Sequence, residues 1–151
     1  MSAPLTDEER ARWAAWKHAS GVVLERVRRD VRVATGLSDA DFGVLRIVAD
    51  ADPSGDGALP VRQQHLCDVL GWTQSRMSNH ISRMEGRGLV LREPLAAGGV
   101  EVSMTAEGTQ RFARAVPVHA VAVRRHLLER LDDDAHLAIA ELAADLATSP
   151  G

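Results

Sequence analysis

Apolar residues recur at helical spacing over most of this chain, and polar or glycine-rich breaks separate the runs. Thr6 and Glu9 have the spacing of a capping box, which opens a first helix. The apolar stripe of this helix runs from Trp13 to Val31, and Gly36 ends it. A helix of about 28 residues is far longer than the roughly 11–12 residues of an average helix. The rest of the chain is too short to cover such a helix, which indicates a partner chain.

The next segments predict a second helix, a loop and a short third helix. Ser38 is placed to cap the second helix, whose apolar side carries Phe42, Leu45 and Val48. Residues 49–60 are rich in Gly, Pro and Asp and predict a loop. The third helix is predicted over 61–70, with three inward residues, Leu66, Val69 and Leu70.

A fourth helix follows a turn at Gly71, and Thr73 is placed to cap it. Its apolar residues are spaced by four and three positions: Met77, Ile81 and Met84. Two glycines, Gly86 and Gly88, end it. The helices over 61–70 and 73–86 therefore have the arrangement of a helix-turn-helix.

A β-hairpin is predicted next, from LVLREP (89–94) and VEVSMT (100–105) joined by LAAGG (95–99). A long helix from Thr105 to Arg130 follows, and Pro117 is expected to kink it. Asp132 is placed to cap a last helix with the stripe Ala135, Ile139, Leu142 and Leu146. The fold class is mainly α with a small β-hairpin wing, a winged helix-turn-helix on a helical frame.

The length of 151 residues fits one unit over 1–151. Within it we expect a winged helix-turn-helix lobe at 38–104 and a helical frame formed by 5–36 and 105–148. The sequence has no apolar run of the roughly 18 residues that a membrane span needs, and its acidic N-terminus is unlike a secretory signal. With Cys67 as the single cysteine, an internal disulfide is excluded, and a cytoplasmic protein is expected.

The charged residues are unevenly distributed along the chain. The net charge is −3, yet the segment from Pro60 to Arg92 carries five arginines against two acidic residues. A basic island in an acidic chain attracts anionic partners, although a solvated helix face without a partner is the simpler alternative.

The residue types on the polar face of the fourth helix favour double-stranded DNA as that partner. Arginine bonds guanine in a bidentate fork, Asn and Gln do the same with adenine, and Ser and His bond bases or phosphates. An ordinary solvated face would carry Glu and Lys in i,i+4 pairs, but this helix has no Lys. The predicted base-reading residues are Gln74, Ser75, Arg76, Asn79, His80 and Arg83.

The segment from Leu66 through LGWTQSRMSNHISRMEGRGLVLREP to VEVSMTAEG resembles the MarR family of bacterial winged-helix regulators. The long first helix and the last two helices are similar to that family's dimerisation frame. The resemblance implies a homodimer on a pseudo-palindromic operator, usually acting as a repressor. It also implies release by a small ligand, which is often aromatic or phenolic.

Contacts with the DNA backbone are expected from polar residues around the helix-turn-helix and the wing. These residues are Arg62, Gln63, Gln64, Thr73, Ser78 and Arg92. One feature departs from the family pattern, in which the wing carries an Asp followed closely by an Arg that reaches the minor groove. The tip at 95–99 has neither charge.

The resemblance places an effector pocket between frame and lobe, near Trp13 and Trp16, with His18 as the nearest polar partner. Tryptophans in such a helix are, however, more often core or dimer-interface residues than ligand contacts. Cys67 is either a redox switch or an ordinary buried thiol. His119, His126 and Glu129 share a helical face but lack a metal-binding motif, so we expect neither a metal nor another cofactor.

The sequence shows no phosphate-binding loop, nucleophile elbow or metal motif, so an enzyme is not expected. The first alternative to a DNA-binding regulator is a winged-helix protein-interaction module that has lost DNA binding, which the uncharged wing favours. The second is a small-molecule-binding or metal-storage protein, against which the basic recognition face argues.

Overall fold

The computed structural model describes residues 3–54 and 59–148 of the chain. Its elements follow the predicted order: α1 (Asp7–Thr35), α2 (Asp39–Ala51), β1 (Val61–Arg62), α3 (Gln63–Leu70), α4 (Gln74–Gly86), β2 (Val90–Pro94), β3 (Val100–Met104), α5 (Ala106–His126), a 3₁₀ turn (Leu128–Arg130) and α6 (Asp133–Thr148). The fold class is confirmed: the protein is mainly helical with one small antiparallel sheet. In the predicted loop at 49–60, residues up to Ala51 belong to α2, and 55–58 lie outside the described residues.

The chain divides into two compact units. One combines the residues up to Asp30 with those from His119 onwards, and the other is Val31–Val118. The predicted helix-turn-helix and wing lie entirely in the second unit. No helix in the described part of the chain has the length and apolar character that a membrane crossing requires.

The predicted helix caps are present because each rests on local spacing. Thr6 and Glu9 bond each other's backbone N–H groups at the start of α1. Ser38 caps α2 in a full capping box, in which the Asp41 carboxylate accepts from the Ser38 N–H. Thr73 accepts from the Arg76 N–H at the start of α4, and Asp132 from the Ala135 N–H at the start of α6.

The start predicted for the third helix is wrong. Val61 and Arg62 form a short strand, which pairs antiparallel with Val102 and Glu101 of β3 and gives the sheet order β1-β3-β2. Two residues are too few to show a strand periodicity, so the sequence did not reveal the third strand. The helix begins only at Gln63.

Two smaller expectations also need correction. Val69 was expected inward but is exposed, whereas Leu66 is fully buried. The helix predicted to end at Arg130 ends at His126, and a 3₁₀ turn covers Leu128–Arg130. Pro117 lies inside α5.

The core of the second unit is aliphatic and lies among α2, α3, α4 and the sheet. It includes Leu37, Val44, Leu45, Val48, Leu66, Met77, Ile81, Met84, Leu89 and Val102, all fully buried. The three apolar residues predicted to anchor α4 are therefore all in place. Fixing α4 on this core leaves its opposite face free to meet a partner.

The hairpin of β2 and β3 ends in a turn that depends on two glycines. Gly98 and Gly99 have φ angles of 90° and 95°, a region that favours glycine. The Leu95 N–H donates to the Gly99 carbonyl across the turn at 2.9 Å. The wing is thus short and regular, and none of its tip residues is charged.

Candidate nucleic-acid interface

The polar face of α4 is open to solvent along the length of the helix. Five of the six predicted base-reading residues are exposed on it: Gln74, Ser75, Arg76, Asn79 and Arg83. Thr73 fixes the first turn of the helix through its cap, so the N-terminal end of this face has a defined backbone. Ser78, a predicted phosphate contact, is half-buried beside them.

The sixth residue, His80, was predicted to face outward and does not. The residue is 7% exposed. Positions 77, 80, 81 and 84 are spaced i, i+3, i+4 and i+7, which is the full width of an inward helical stripe. The spacing in the sequence therefore indicates burial at position 80, although histidine also has the polar chemistry of a base-reading residue.

His80 contacts a buried carboxylate on another helix. Asp41 of α2 is fully buried, and its Oδ1 lies 3.2 Å from His80 Nε2. Its Oδ2 accepts from Arg87 Nη2 at 2.9 Å and from the Ser38 N–H at 2.9 Å. Burial alone would raise the pKa of Asp41, but the hydrogen bonds from His80, Arg87 and Ser38 outweigh it and hold the pKa well below its usual range. The carboxylate is therefore charged at neutral pH and ties α2 to α4.

The sequence reasoning missed both Asp41 and Arg87. Asp41 does carry a local signal, because it occupies the N3 position of the capping box that Ser38 opens. Arg87 follows α4 directly and also donates to the Gly36 carbonyl, at 3.3 Å.

Arg76 is held over an aromatic ring at the turn before α4. Its guanidinium carbon lies 3.9 Å from the centroid of the Trp72 ring, within the range of a cation–π contact. The same indole packs against His80 in a T-shaped contact, with ring centroids 5.4 Å apart and planes at 90°. Arg76, which is predicted to read guanine, thus stacks on the Trp72 indole, and this indole packs against the buried His80.

A chain of side-chain amides joins α3 to the start of α4. Gln63 Nε2 donates to Gln74 Oε1 at 3.1 Å, Gln74 Nε2 donates to Gln64 Oε1, and Gln64 Nε2 donates to Asp68 at 2.7 Å. Gln63 is buried, so the expectation that it contacts phosphate is replaced by a supporting role for Gln74. A polar depression of about 490 Å³ opens beside this chain, lined by Gln63, Gln74, Ser75, Ser78 and Asn79.

The two arginines predicted to contact phosphate lie near the wing. Arg92 on β2 donates to Ser82 Oγ at 3.0 Å, and its second nitrogen is 3.4 Å from the Glu85 carboxylate. Arg62 is exposed, and its guanidinium approaches Gly99 at the wing tip. It therefore supplies a cation beside a tip that has none of its own.

The other candidate residues have simpler surroundings. Cys67 is buried, and burial raises the pKa of its thiol, which disfavours the reactive thiolate. His126 lies 2.8 Å from Asp30, whose pKa this hydrogen bond lowers. Among the described residues, no group of three His, Cys, Asp or Glu side chains is arranged to hold a metal ion. Trp13, Trp16 and His18, the predicted effector contacts, are all exposed on α1.

Comparison with known proteins gives the fold a family. A sequence model of the MarR family matches residues 35–99, which include the helix-turn-helix and most of the wing. No curated protein matches the chain by sequence.

Solved structures match over almost the whole chain. AbsC, a MarR family transcriptional regulator from Streptomyces coelicolor, superposes with a TM-score of 0.83 at 23% identity, covering 97% of this chain and 96% of that one. Sco3205, a MarR family regulator from the same organism solved in complex with DNA, gives 0.83 at 26% identity, with coverages of 97% and 90%.

A third structure is of CouR, a transcriptional repressor bound to p-coumaroyl-CoA, and it gives a TM-score of 0.74 at 26% identity, with coverages of 97% and 100%. The matching sequence model and the shared architecture agree: residues 35–99 match the MarR family, and the chain as a whole has the fold of MarR family winged-helix regulators.

Proposed function

We propose that this chain is a homodimeric repressor that binds a pseudo-palindromic operator and is released by a small, aromatic ligand. The observation that carries the proposal is the polar face of α4. It is exposed along its length, while the opposite face is fastened to the core by three fully buried residues, Met77, Ile81 and Met84. A rigid helix with arginine and amide side chains on its free face suits the major groove.

Within this proposal, the exposed residues of α4 read bases while Arg62, Gln64, Thr73, Ser78 and Arg92 contact the DNA backbone. Two similar structures, Sco3205 and CouR, were solved with DNA, which supports the same use of the fold here. A protein that acts on bacterial DNA works in the cytoplasm, and the proposal implies that location.

The proposal of a dimer rests on apolar residues that the single chain leaves exposed. The described residues of α6 include none that is buried. Its large apolar residues are all exposed, and so are both tryptophans of α1, at 52% and 50%. Apolar surface of this extent in one unit marks an interaction site. A second copy, paired about a two-fold axis, is the commonest way to cover it. The exposed residues are Trp13, Trp16, Leu24, Leu137, Ile139, Leu142 and Leu146.

The proposal of an effector rests on Trp13, Trp16 and His18. They combine apolar rings with a polar group on α1, a combination that suits an aromatic acid or phenol. CouR has been solved with p-coumaroyl-CoA, whose acyl group is a phenol.

A protein-interaction module that has lost DNA binding is the second candidate function. The uncharged wing tip favours it, because a narrow minor groove attracts an inserted arginine. Arg62 beside Gly99 weakens this reading, since it offers a cation at nearly the same place. A mobility-shift assay on the DNA upstream of the chain's own gene separates the two functions.

The first prediction concerns base reading on an operator taken from that upstream DNA or selected from a random-sequence pool. Arg76→Ala and Asn79→Ala should each cost roughly 1–3 kcal/mol per half-site on the operator and little on random DNA. Arg62→Ala should weaken binding to both and reduce the salt slope by about 0.9 per subunit. Arg12→Ala, a change at an exposed arginine of α1, is the control and should change neither. Equal losses for Arg76→Ala on both DNAs would mean that Arg76 contacts phosphate.

The second prediction concerns the wing, where a new arginine should add a contact. Gly98 is unsuitable because of its positive φ, whereas Ala97 is exposed and free of that constraint. Ala97→Arg should tighten binding at low salt and steepen the salt slope by about 0.9 per new phosphate contact. Ala97→Glu is the matched control and should weaken binding. If both variants bind as the wild type does, the wing tip does not approach DNA.

The third prediction concerns the dimer, measured by light scattering at micromolar concentration. Leu142→Asp should give monomers or aggregates, because it places a charge in the proposed apolar interface. Removal of the residues from Asp132 onwards should do the same. Glu141→Gln, a change at the neighbouring exposed position, should leave the dimer intact. A folded wild-type monomer at this concentration would contradict the proposed dimer.

The fourth prediction concerns the effector, sought among aromatic carboxylates and phenols. Its binding should change the tryptophan fluorescence and release the operator. The fluorescence change should be lost or reduced in Trp13→Phe or Trp16→Phe and kept in Trp72→Phe, because Trp72 lies in the helix-turn-helix. A response that survives both α1 replacements would place the pocket elsewhere.

A further inference from the structure

Arg83 is the one exposed arginine on the described face of α4 that is hydrogen-bonded to a buried side chain. Its Nη2 lies 3.3 Å from His80 Nδ1. We infer that His80 is a positioning residue, which, held by Asp41 in its neutral Nε2–H form, fixes the Arg83 guanidinium for reading a base. The inference rests on the proposed function, in which the α4 face meets DNA.

The two contacts of the imidazole define which nitrogen carries the proton. An arginine guanidinium has donors and no acceptor, so the His80 Nδ1 must accept and carries no hydrogen. On the other side of the ring, Asp41 Oδ1 lies 3.2 Å from Nε2 and is an acceptor. Nε2 is therefore the nitrogen that carries the hydrogen, and it faces the Asp41 carboxylate at ion-pair distance.

The carboxylate can hold this form only if it stays ionised. Arg87 and the Ser38 N–H both bond its second oxygen at 2.9 Å, and they keep the charge on Asp41 although it is fully buried. Asp41 of α2 therefore orients the His80 ring, and the ring in turn orients Arg83 at the surface of α4.

Packing restricts the ring further. His80 is buried, the Trp72 indole stands perpendicular to it, and the Arg76 guanidinium lies over the ring of that indole. His80 thus supports both arginines on the polar face of α4: Arg83 through a hydrogen bond, and Arg76 through the Trp72 ring.

Fixing Arg83 in advance should matter because arginine has many rotamers to lose on binding. A side chain that is already ordered in the free protein loses less entropy in the complex, and affinity rises accordingly. We expect the contact between His80 and Arg83 to raise operator affinity roughly tenfold per half-site, which is near the upper end of the effect of ordering one such side chain in advance.

The tautomer is tested directly by two-bond ¹H–¹⁵N correlation spectroscopy on the ¹⁵N-labelled full-length chain without DNA. His80 should show the neutral Nε2–H pattern with a bare Nδ1, and Arg83→Ala should change the Nδ1 shift. The exposed His65 of α3 is the internal reference and should show averaged tautomers. An Nδ1–H tautomer at His80, or an Nδ1 shift unaffected by Arg83→Ala, would overturn the inference.

The coupling to DNA is tested by a double-mutant cycle on operator binding. His80→Gln places its amide near Nε2, keeping a donor for Asp41 but removing the acceptor for Arg83. It should weaken operator binding roughly tenfold per half-site in the wild-type background and have almost no further effect in an Arg83→Ala background. His80→Asn, whose amide oxygen lies near the Nδ1 position, should restore part of the loss.

The outcomes separate this inference from the function on which it rests. A loss from His80→Gln that is equal in both backgrounds means that His80 acts only through the stability of the fold, and it overturns the inference alone. A wild-type chain that binds no operator overturns the proposed function as well.

Discussion

The carboxylate of Asp41 has no solvent exposure, and three groups compensate its charge: the His80 imidazole, the Arg87 guanidinium and the Ser38 N–H. Two of these partners belong to α4 or follow it directly, and the third begins α2. A buried charge that loses a partner is strongly destabilising, so α2 and α4 are constrained to keep this spacing. The orientation of the polar face of α4 depends on that constraint, because the apolar contacts of Met77, Ile81 and Met84 are not directional.

Affinity and specificity are supported by different parts of the second unit. The amides of Gln63 and Gln64 and the indole of Trp72 order the exposed side chains of α4 before any partner is present. Arg62 and Arg92 lie at the edge of the face near the wing, where a duplex backbone would pass in the proposed complex. The first unit contributes a set of exposed apolar residues on α1 and α6, which a second copy covers in the proposed dimer.

Local features were predictable from the sequence, and long-range partners were not. The caps at Thr6, Ser38, Thr73 and Asp132 each depend on a residue three positions further along, and all four are present. The pairing of Asp41 with Arg87 joins residues 46 positions apart, so no local pattern indicates it. The family resemblance gave the fold class, which is confirmed.

His80 shows how chemistry can mislead where geometry is available. The i, i+3, i+4, i+7 spacing predicts burial at position 80, yet histidine on a polar helix invites a functional assignment. The strand β1 was not predicted for a different reason: a segment of two residues is too short to show the alternation of a strand that pairs with β3.

The most direct test of the central claim is chemical protection of DNA by the wild-type chain. Dimethyl sulfate methylates guanine N7 in the major groove. An arginine of α4 that reads guanine would donate a hydrogen bond to this atom and block its methylation. The account predicts protection of N7 in two patches related by a two-fold axis, their centres about one helical turn of 10–10.5 base pairs, or a multiple of it, apart. Binding that leaves every guanine N7 as reactive as in free DNA would contradict it.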